Sequence, residues 1–233
     1  MAKSSSAKLF GRYDAALLID LTVRVILGIF FAFAAGIYSN NAFLLLQKTN
    51  FQELDAHALS KALSIFSTAL YTLTIASLYV LRLRAKNKFV GLWPAIASIL
   101  GGFLMFGLLL FKPREDLPLE IQILASCIVL IGNILVIYVL THLGRSFSIL
   151  PESRKLVTKG PYNFIRHPLY VAETIVSLGV MIVFLSPGAV ALVVTQFLFQ
   201  LVRIHYEEKV LTKNFPEYKN YAKRTARLIP GVY

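Results

Sequence analysis

The chain has 233 residues, 57% of them hydrophobic and 15% charged, with a mean hydropathy of +0.66. These values exclude an ordinary soluble globular domain and indicate a protein that crosses a membrane several times. The formal net charge of +12 does not indicate a nucleic-acid partner, because the basic residues are spread between apolar segments and form no patch with stacking aromatic side chains.

Six apolar segments predict an all-α, polytopic integral membrane protein with about six transmembrane helices. Each segment has close to the ~20 residues that a helix needs to cross a ~30 Å hydrocarbon core. Between the last two stands Ser186-Pro187-Gly188, a helix-stop and turn signature that predicts a tight hairpin. The predicted spans are 15–38, 62–81, 92–111, 119–140, 169–186 and 189–206.

The distribution of Lys and Arg between these spans predicts the orientation of the protein. Nineteen of them lie before the first span, in the loops 82–88 and 145–166, and from Arg203 onward, whereas the intervening loops hold four. Basic loops stay on the cytoplasmic side, so both termini are expected in the cytoplasm. The polar segment 1–12, followed by a long apolar run, is not the pattern of a cleaved signal peptide. We favour a bacterial inner membrane over an endoplasmic reticulum membrane.

The chain divides into an N-terminal four-helix membrane region, 1–140, and a predicted catalytic core, 141–233. The core comprises a cytoplasmic loop, the helical hairpin 169–206 and a cytoplasmic tail. Asp20 and Arg24 lie four residues apart inside the first span, where charged residues are costly. We interpret them as a structural ion pair, and a functional role stays open. The single cysteine, Cys127, excludes an internal disulfide and a multi-cysteine metal site, so no metal is predicted.

The segment 160–170 reads Gly-Pro-Tyr-Asn-Phe-Ile-Arg-His-Pro-Leu-Tyr and leads into the fifth span. Pro168 suits the first turn of a helix, because its missing N–H would be unpaired there. The partly positive N-terminus of that helix then lies beside Arg166 and His167, and Glu173 follows about one turn later. The alternative interpretation is a belt of interfacial aromatic residues with a snorkelling arginine.

The sixth span and the residue that follows it carry a second group of candidate residues. Arg203 and Glu207 are four residues apart and therefore on one face of a helix. Such a pair can hold the opposite charges of two reactants, or it can be an ordinary surface ion pair. Gln196 and Gln200 lie on the same broad face, where they can line a cavity or hydrogen-bond to a neighbouring helix.

Residues 142–231 resemble the C-terminal catalytic core of the isoprenylcysteine carboxyl methyltransferase family, which are integral-membrane enzymes related to phospholipid methyltransferases. Four blocks occur in the family's order: apolar-Val-Thr-x-Gly-Pro-Tyr at 156–162, Arg-His-Pro-x-Tyr at 166–170, Arg-x-x-x-Glu-Glu at 203–208 and Phe-x-x-Tyr-x-x-Tyr at 215–221. The chain is short, like the prokaryotic-type members. It departs from the eukaryotic pattern at Arg154, where those members tend to have a histidine.

This resemblance implies S-adenosylmethionine as cofactor and a lipophilic methyl acceptor that reaches the site from the lipid bilayer. Arg203 and Glu207 are the implied catalytic residues, with Arg203 holding the carboxylate of the acceptor. The implied cofactor-binding residues are Leu156, Val157, Gly160, Tyr162, His167, Pro168, Leu169, Tyr170, Glu207 and Glu208. The implied substrate-binding residues are Arg203, Arg166, Glu173, Gln196 and Gln200.

The resemblance leaves the acceptor and two other function classes open. A prenylcysteine-like carboxylate is the acceptor that the family implies, and a small thiol or a phospholipid amine are the alternatives. A membrane reductase of the sterol or steroid type that uses NADPH also fits Arg-His-Pro-x-Tyr-x-x-Glu at 166–173, but the Glu207-Glu208 pair and the tail at 215–221 favour a methyltransferase. A non-enzymatic membrane protein is the third class. The oligomeric state is left open.

Overall fold

The computed structural model describes residues 3–49, 55–83, 87–88, 91–114, 116–150 and 152–231. Its α-helices are α1 (Lys3–Lys48), α2 (Ala56–Leu81), α3 (Leu92–Phe103), α4 (Leu119–Leu143), α5 (Pro168–Phe184), α6 (Pro187–Asn214) and α7 (Tyr218–Arg224). Three 3-10 helices span Leu104–Leu110, Gly144–Ser146 and Gly160–Asn163. A two-residue ladder pairs β1 (Asn87–Lys88) with β2 (Glu152–Ser153) in antiparallel register. The predicted all-α class is confirmed.

Four helical segments are long and apolar enough to cross a membrane: Asp20–Lys48, Ala56–Leu81, Leu119–Ser146 and Pro187–Asn214. The protein is therefore an integral membrane protein, as predicted. The count of six spans is not confirmed, because the other two apolar segments, Leu92–Leu108 and Pro168–Phe184, are shorter. α3 has 12 residues and passes into a 3-10 helix after Gly101-Gly102-Phe103; glycine is a poor helix former.

The turn between α5 and α6 lies where Ser186-Pro187-Gly188 predicts it. α5 ends at Phe184, and the next residue, Leu185, adopts the left-handed conformation with φ of 33°. Ser186 then caps α6 by accepting a hydrogen bond from the Ala189 backbone N–H at 3.2 Å, and Pro187 is the first helical residue. Because Pro suits the first turn of a helix, α6 begins two residues before the predicted start at 189.

The two arms of this hairpin pack mainly against other helices. α5 packs chiefly on α4, and α6 chiefly on α3. Glycines allow the approach of α4 and α5: a Cβ atom on Gly132 would lie 2.7 Å from the Val176 side chain, and one on Gly179 would lie 2.9 Å from the Val129 backbone nitrogen. Small residues at such contacts let membrane helices pack closely.

We expect Gly179→Ala to destabilise the protein, because the added methyl group must push α4 away from α5. Overpacking of this kind costs about 1 to 3 kcal/mol. Gly36→Ala is the matched control, since a Cβ atom at Gly36 meets nothing within 4 Å, and alanine there gains helix propensity. Thermal unfolding in detergent measures both, and a Gly179→Ala midpoint at or above that of Gly36→Ala would contradict the packing argument.

The hydrophobic core extends to the loop segment that precedes α5. Tyr79 of α2 stacks on Phe31 of α1 with ring centroids 6.1 Å apart, and it contacts Phe147 edge-on at 5.7 Å. The same buried cluster includes Tyr162 and Leu169. Packing between α1, α2 and α4 therefore supports the residues that the sequence assigns to a site.

The predicted ion pair between Asp20 and Arg24 is confirmed, with Arg24 Nε 2.8 Å from Asp20 Oδ2. Arg82 at the end of α2 joins it, because its Nη2 lies 2.8 Å from Asp20 Oδ1. Asp20 thus ties α1 to α2. The predicted boundary between 140 and 141 falls inside α4, which continues to Leu143, and the division into two regions stays a prediction.

Candidate active site

A cavity of about 110 Å³ lies between the segment that precedes α5, the beginning of α5, the second half of α6, and α7. Nine residues singled out in the sequence line it: Leu156, Val157, Tyr162, Arg166, His167, Leu169, Tyr170, Arg203 and Glu207. Sequence reasoning did not assign the remaining lining residues to the site: Leu143, Ser146, Ser148, Leu150, Arg154, Lys155, Leu211, Tyr218 and Tyr221. Of these, Tyr218 and Tyr221 could have been found from the sequence, because they are the tyrosines of the block at 215–221.

A contact between Arg203 and Glu207 forms one wall of the cavity. Arg203 Nε lies 3.2 Å from Glu207 Oε1, and the Arg203 side chain is only 3% exposed. Arg203 Nη2 donates to the Ser148 carbonyl at 3.2 Å, and the guanidinium lies 5.0 Å from the centroid of the Tyr170 ring. The Tyr170 hydroxyl donates to the same Glu207 oxygen at 2.5 Å. Buried charge and aromatic contact distinguish this pair from a solvated surface pair.

Glu207 has an oxygen that takes no part in these bonds. Oε1 accepts from both Arg203 and Tyr170, whereas Oε2 lies 4.0 Å from His167 Nδ1. The Glu207 side chain is 20% exposed, more than that of Arg203. The cavity wall therefore presents Oε2 of Glu207 beside the guanidinium of Arg203. A cationic group can approach the Glu207 oxygen while an anionic group approaches Arg203.

Glu208 does not line the cavity but joins the C-terminal tail to the start of α5. Its carboxylate receives Arg166 Nε at 2.8 Å, Arg227 Nη2 at 2.8 Å and His167 Nε2 at 3.3 Å. The backbone N–H groups of Arg166 and His167 donate to the carbonyls of Ala226 and Arg227. Nothing in the sequence pattern pointed to Arg227, because the contact joins segments far apart in the chain.

We expect Glu208→Gln to lower the stability of the fold. Removing one partner of a buried ion pair costs about 3 to 5 kcal/mol, and Glu208 is only 12% exposed with two arginines bound. Glu217→Gln makes the same chemical change at an exposed position and serves as the control. Denaturation in detergent measures the difference in stability. Equal midpoints for the two variants would contradict a role of Glu208 in holding the C-terminal tail against α5.

Of the three aromatic residues that could form an interfacial belt, two are buried and one is exposed. Tyr162 and Tyr170 are 7% and 3% exposed, whereas Phe164 is 73% exposed. The interfacial-belt interpretation therefore fits Phe164 alone among the three. The Tyr221 hydroxyl donates to the Tyr162 carbonyl at 2.6 Å. Burial raises the pKa of Tyr221 to about 12 and also raises the pKa of Tyr162, so both phenols stay protonated near neutral pH.

Two other predicted residues, Gly160 and Pro168, determine the backbone conformation next to the cavity. Gly160 has a φ of 63°, and a Cβ atom there would lie 2.2 Å from the His142 ring. Only glycine fits both the left-handed backbone and the close approach. Pro168 begins α5. Neither Gly160 nor Pro168 lines the cavity.

The remaining three candidates lie deeper, at a second cavity of about 370 Å³. Glu173 and Gln196 line this second cavity. Gln200 Nε2 donates to Glu173 Oε2 at 3.2 Å, and its Oε1 accepts from Thr174 at 3.2 Å. The Gln196 Oε1 accepts from Ser177 at 2.9 Å. Both glutamines thus join α5 to α6, and Gln196 also faces the cavity.

Comparison with known proteins relates this region to a family. Residues 124–213 match the isoprenylcysteine carboxyl methyltransferase (ICMT) family. The chain is 29% identical over 191 residues to protein-S-isoprenylcysteine O-methyltransferase B of Arabidopsis thaliana, covering 79% of this chain and 96% of that protein. It is 40% identical over 83 residues to the nickel-cobalt-cadmium resistance protein NccN of Alcaligenes xylosoxydans xylosoxydans, covering 35% of this chain and 38% of that protein.

A solved structure of the eukaryotic intramembrane Ras methyltransferase ICMT aligns over 96% of this chain and 87% of its own, with a TM-score of 0.47 and 20% identity. Among the described residues, no group of three or more His, Cys, Asp or Glu side chains is placed to hold a metal ion. The family match contains all nine of the cavity residues that the sequence singled out, from Leu156 to Glu207. The resemblance to the isoprenylcysteine carboxyl methyltransferase family is therefore confirmed, and the family match covers residues 124–213.

Proposed function

We propose that this protein is an S-adenosylmethionine-dependent methyltransferase that methylates the carboxylate of a lipophilic, prenylcysteine-like acceptor at the membrane interface. The observation that carries the proposal is the contact of Arg203 with Glu207, 3.2 Å apart on one cavity wall. Glu207 offers a negative charge to a cationic cofactor, and Arg203 offers a positive charge to an anionic acceptor. The family match supports the reaction class.

The residues of the first cavity suit S-adenosylmethionine in their chemistry. Its sulfonium and amino groups are cationic, and Oε2 of Glu207 and the ring of Tyr170 are groups that attract cations. Leu156, Val157 and Leu169 supply an apolar surface for the adenine ring. Arg154 lines the same cavity, and a guanidinium suits the carboxylate of the cofactor.

Bound S-adenosylmethionine would supply an electrophilic sulfonium methyl group, with S-adenosylhomocysteine as the leaving group, to an acceptor oxygen. Arg203 orients the acceptor, because its position is fixed by Glu207, the Ser148 carbonyl and the Tyr170 ring. A carboxylate is already ionised near neutral pH. No residue of the chain needs to act as a general base.

The absence of a need for a general base favours a carboxylate over the alternative acceptors. A thiol or an amine is largely protonated near neutral pH and would need a base beside the reacting atom. His167 is the imidazole at the cavity wall, and its two ring nitrogens face Glu208 at 3.3 Å and Glu207 at 4.0 Å. Its ring is therefore engaged with the protein's own carboxylates.

We place the apolar part of the acceptor in the second cavity. Gln200 lies one helical turn from Arg203 on α6, and its Nε2 donates to Glu173, which lines the second cavity. Movement of these two side chains would let an acceptor extend from Arg203 toward Gln196. In the membrane, we place both termini and the first cavity on the cytoplasmic side, because the basic loops lie there, and we favour a bacterial inner membrane.

Binding measurements on the purified, detergent-solubilised protein test the proposed cofactor. We expect calorimetry to show binding of S-adenosylhomocysteine, loss of that binding in Glu207→Ala, and no binding of NADPH. Binding of NADPH in place of S-adenosylhomocysteine would assign the protein to the reductases. Absence of binding of either compound would favour a non-enzymatic membrane protein.

A further inference from the structure

Among the described residues that line the second cavity, Glu173 of α5 is the one acidic or basic residue. It is half-buried, so part of its side chain is open to the cavity. Gln200 donates to its Oε2 at 3.2 Å. A carboxylate has about four acceptor sites, and an ionisable residue inside a membrane span is costly and needs a partner. The carboxylate of Glu173 therefore has room for a second donor.

Two phenols, Tyr38 of α1 and Tyr71 of α2, line the same cavity. In the described part of the chain, the side-chain hydrogen bond of Glu173 is the one with Gln200, and neither phenol shares it. Other hydroxyls of this wall are already used: Ser177 donates to Gln196 at 2.9 Å. A donor for Glu173 other than Gln200 is therefore expected to come from a ligand.

Glu173 lies one helical turn deeper in the protein than the guanidinium of Arg203. On α5, Glu173 follows by three residues Tyr170, whose ring centroid is 5.0 Å from that guanidinium. On the antiparallel helix α6, Gln200 precedes Arg203 by three residues, and its bond to Glu173 places these two at one level. A helix rises ~1.5 Å per residue, so the two levels are roughly 4.5 Å apart.

An α-amino acid spans this separation. Its nitrogen lies about 2.5 Å from the carboxylate carbon, and an N–H···O bond adds about 2.9 Å. When Arg203 holds the carboxylate, the N–H on the α-carbon can therefore reach the level of Glu173. The thioether chain leaves the same α-carbon and can continue into the second cavity of about 370 Å³. The apolar chain and the N–H group thus occupy different parts of the site.

From this arrangement we propose that Glu173 accepts a hydrogen bond from the N–H group on the α-carbon of the methyl acceptor. The proposal rests on the proposed function, since it assumes that Arg203 holds the acceptor's carboxylate. It makes Glu173 a specificity-determining residue, which selects derivatives of amino acids against lipophilic acids that have no nitrogen beside the carboxylate. A hydrogen bond to an ionised acceptor is roughly twice as strong as a neutral one.

Binding of two matched acids to the purified, detergent-solubilised protein tests this assignment without any need for methyl transfer. One is an N-acetylated S-prenyl cysteine, and the other is its ester analogue, in which an oxygen atom replaces the amide N–H. We expect the wild type to bind the amide about tenfold or more tightly, as a hydrogen bond to a charged group would. Glu173→Leu should bind both acids about equally, and comparing the ratios between variants cancels the unequal partitioning of the two acids into detergent.

Tyr71→Phe is the control, because it removes another polar group of the same cavity and should keep the full advantage of the amide. S-prenyl cysteine with a free amino group offers the same donor as an ammonium. Its affinity should likewise fall in Glu173→Leu and stay unchanged in Tyr71→Phe.

Equal affinities of the amide and the ester in the wild type would overturn the proposal, and so would the same amide advantage in Glu173→Leu. Should Glu173→Leu fail to fold, Glu173→Gln decides: it keeps an acceptor oxygen without the charge, and should reduce the amide advantage about fivefold. An unchanged advantage there would also overturn the proposal. Methyl transfer to both acids without an amide preference would refute this inference alone. An amide preference that depends on Glu173, without methyl transfer, would refute the proposed function alone.

Discussion

We expect Arg203→Gln to lower kcat/KM for a carboxylate acceptor by about 100-fold or more. The guanidinium is buried, and it is held by Glu207 and the Ser148 carbonyl. Truncating one partner of a buried, hydrogen-bonded charge pair between protein and ligand costs about 2 to 5 kcal/mol of binding free energy, and about 1.4 kcal/mol corresponds to a factor of ten. Steady-state kinetics with varied acceptor and saturating cofactor measures the effect.

Arg203→Lys is the matched control, since it keeps the positive charge and loses the planar fork of donors. We expect it to retain an intermediate activity, roughly a tenth of the wild type. Affinity for S-adenosylhomocysteine should fall far less than activity in both variants. If Arg203→Gln kept more than a tenth of the wild-type kcat/KM, Arg203 would not be the residue that holds the acceptor.

Glu207→Gln is expected to weaken binding of S-adenosylmethionine by roughly 10- to 100-fold, because a hydrogen bond to a charged group contributes about 1.5 to 3 kcal/mol. Glutamine keeps the size of the side chain and can still accept from Tyr170, so the change removes mainly the charge. Calorimetric titration gives the dissociation constants. Comparing the cofactor with S-adenosylhomocysteine, which lacks the sulfonium charge, shows how much of the loss concerns that charge.

Glu173→Gln provides the control for this prediction, because Glu173 lines the second cavity instead of the first. It should leave the dissociation constant of the cofactor unchanged and raise KM for the acceptor. If both variants weakened cofactor binding equally, the assignment of the two acids to different ligands would be wrong.

Local sequence patterns predicted much of the fold and of the site. α4 begins at Leu119 as predicted, and α5 begins at Pro168, one residue before its predicted start. The blocks at 156–162, 166–170 and 203–208 contribute side chains to one cavity. Such blocks are short and contiguous, so their spacing along the chain already contains the information that places them on turns and helix ends.

Hydropathy was a weaker guide to the number of spans. It measures how apolar a segment is and says nothing about its helical geometry. The change from α3 to a 3-10 helix after Phe103 leaves no trace in a hydropathy profile. Likewise, the Ser186-Pro187-Gly188 turn was predicted, but the preference of α5 for α4 depends on Gly132 and Gly179 meeting valines of another helix.

Contacts made by isolated residues of distant segments could not be predicted from the sequence. Arg82 joins Asp20 across 62 residues, and the Ser148 carbonyl meets Arg203 across 55. Arg227 reaches Glu208 from the tail. An isolated arginine or a backbone carbonyl has no sequence signature, and only the packing of the helices decides which partner it finds.

One assay shows whether this protein transfers a methyl group to a carboxylate. The purified protein in lipid nanodiscs is given S-adenosylmethionine with a labelled methyl group and either an N-acetylated S-prenyl cysteine or the corresponding carboxamide. We expect label to enter the acid as a base-labile methyl ester, none to enter the carboxamide, and Arg203→Gln to abolish the incorporation. Label in both compounds, or in neither while S-adenosylhomocysteine still binds, would contradict the assignment of a carboxylate acceptor.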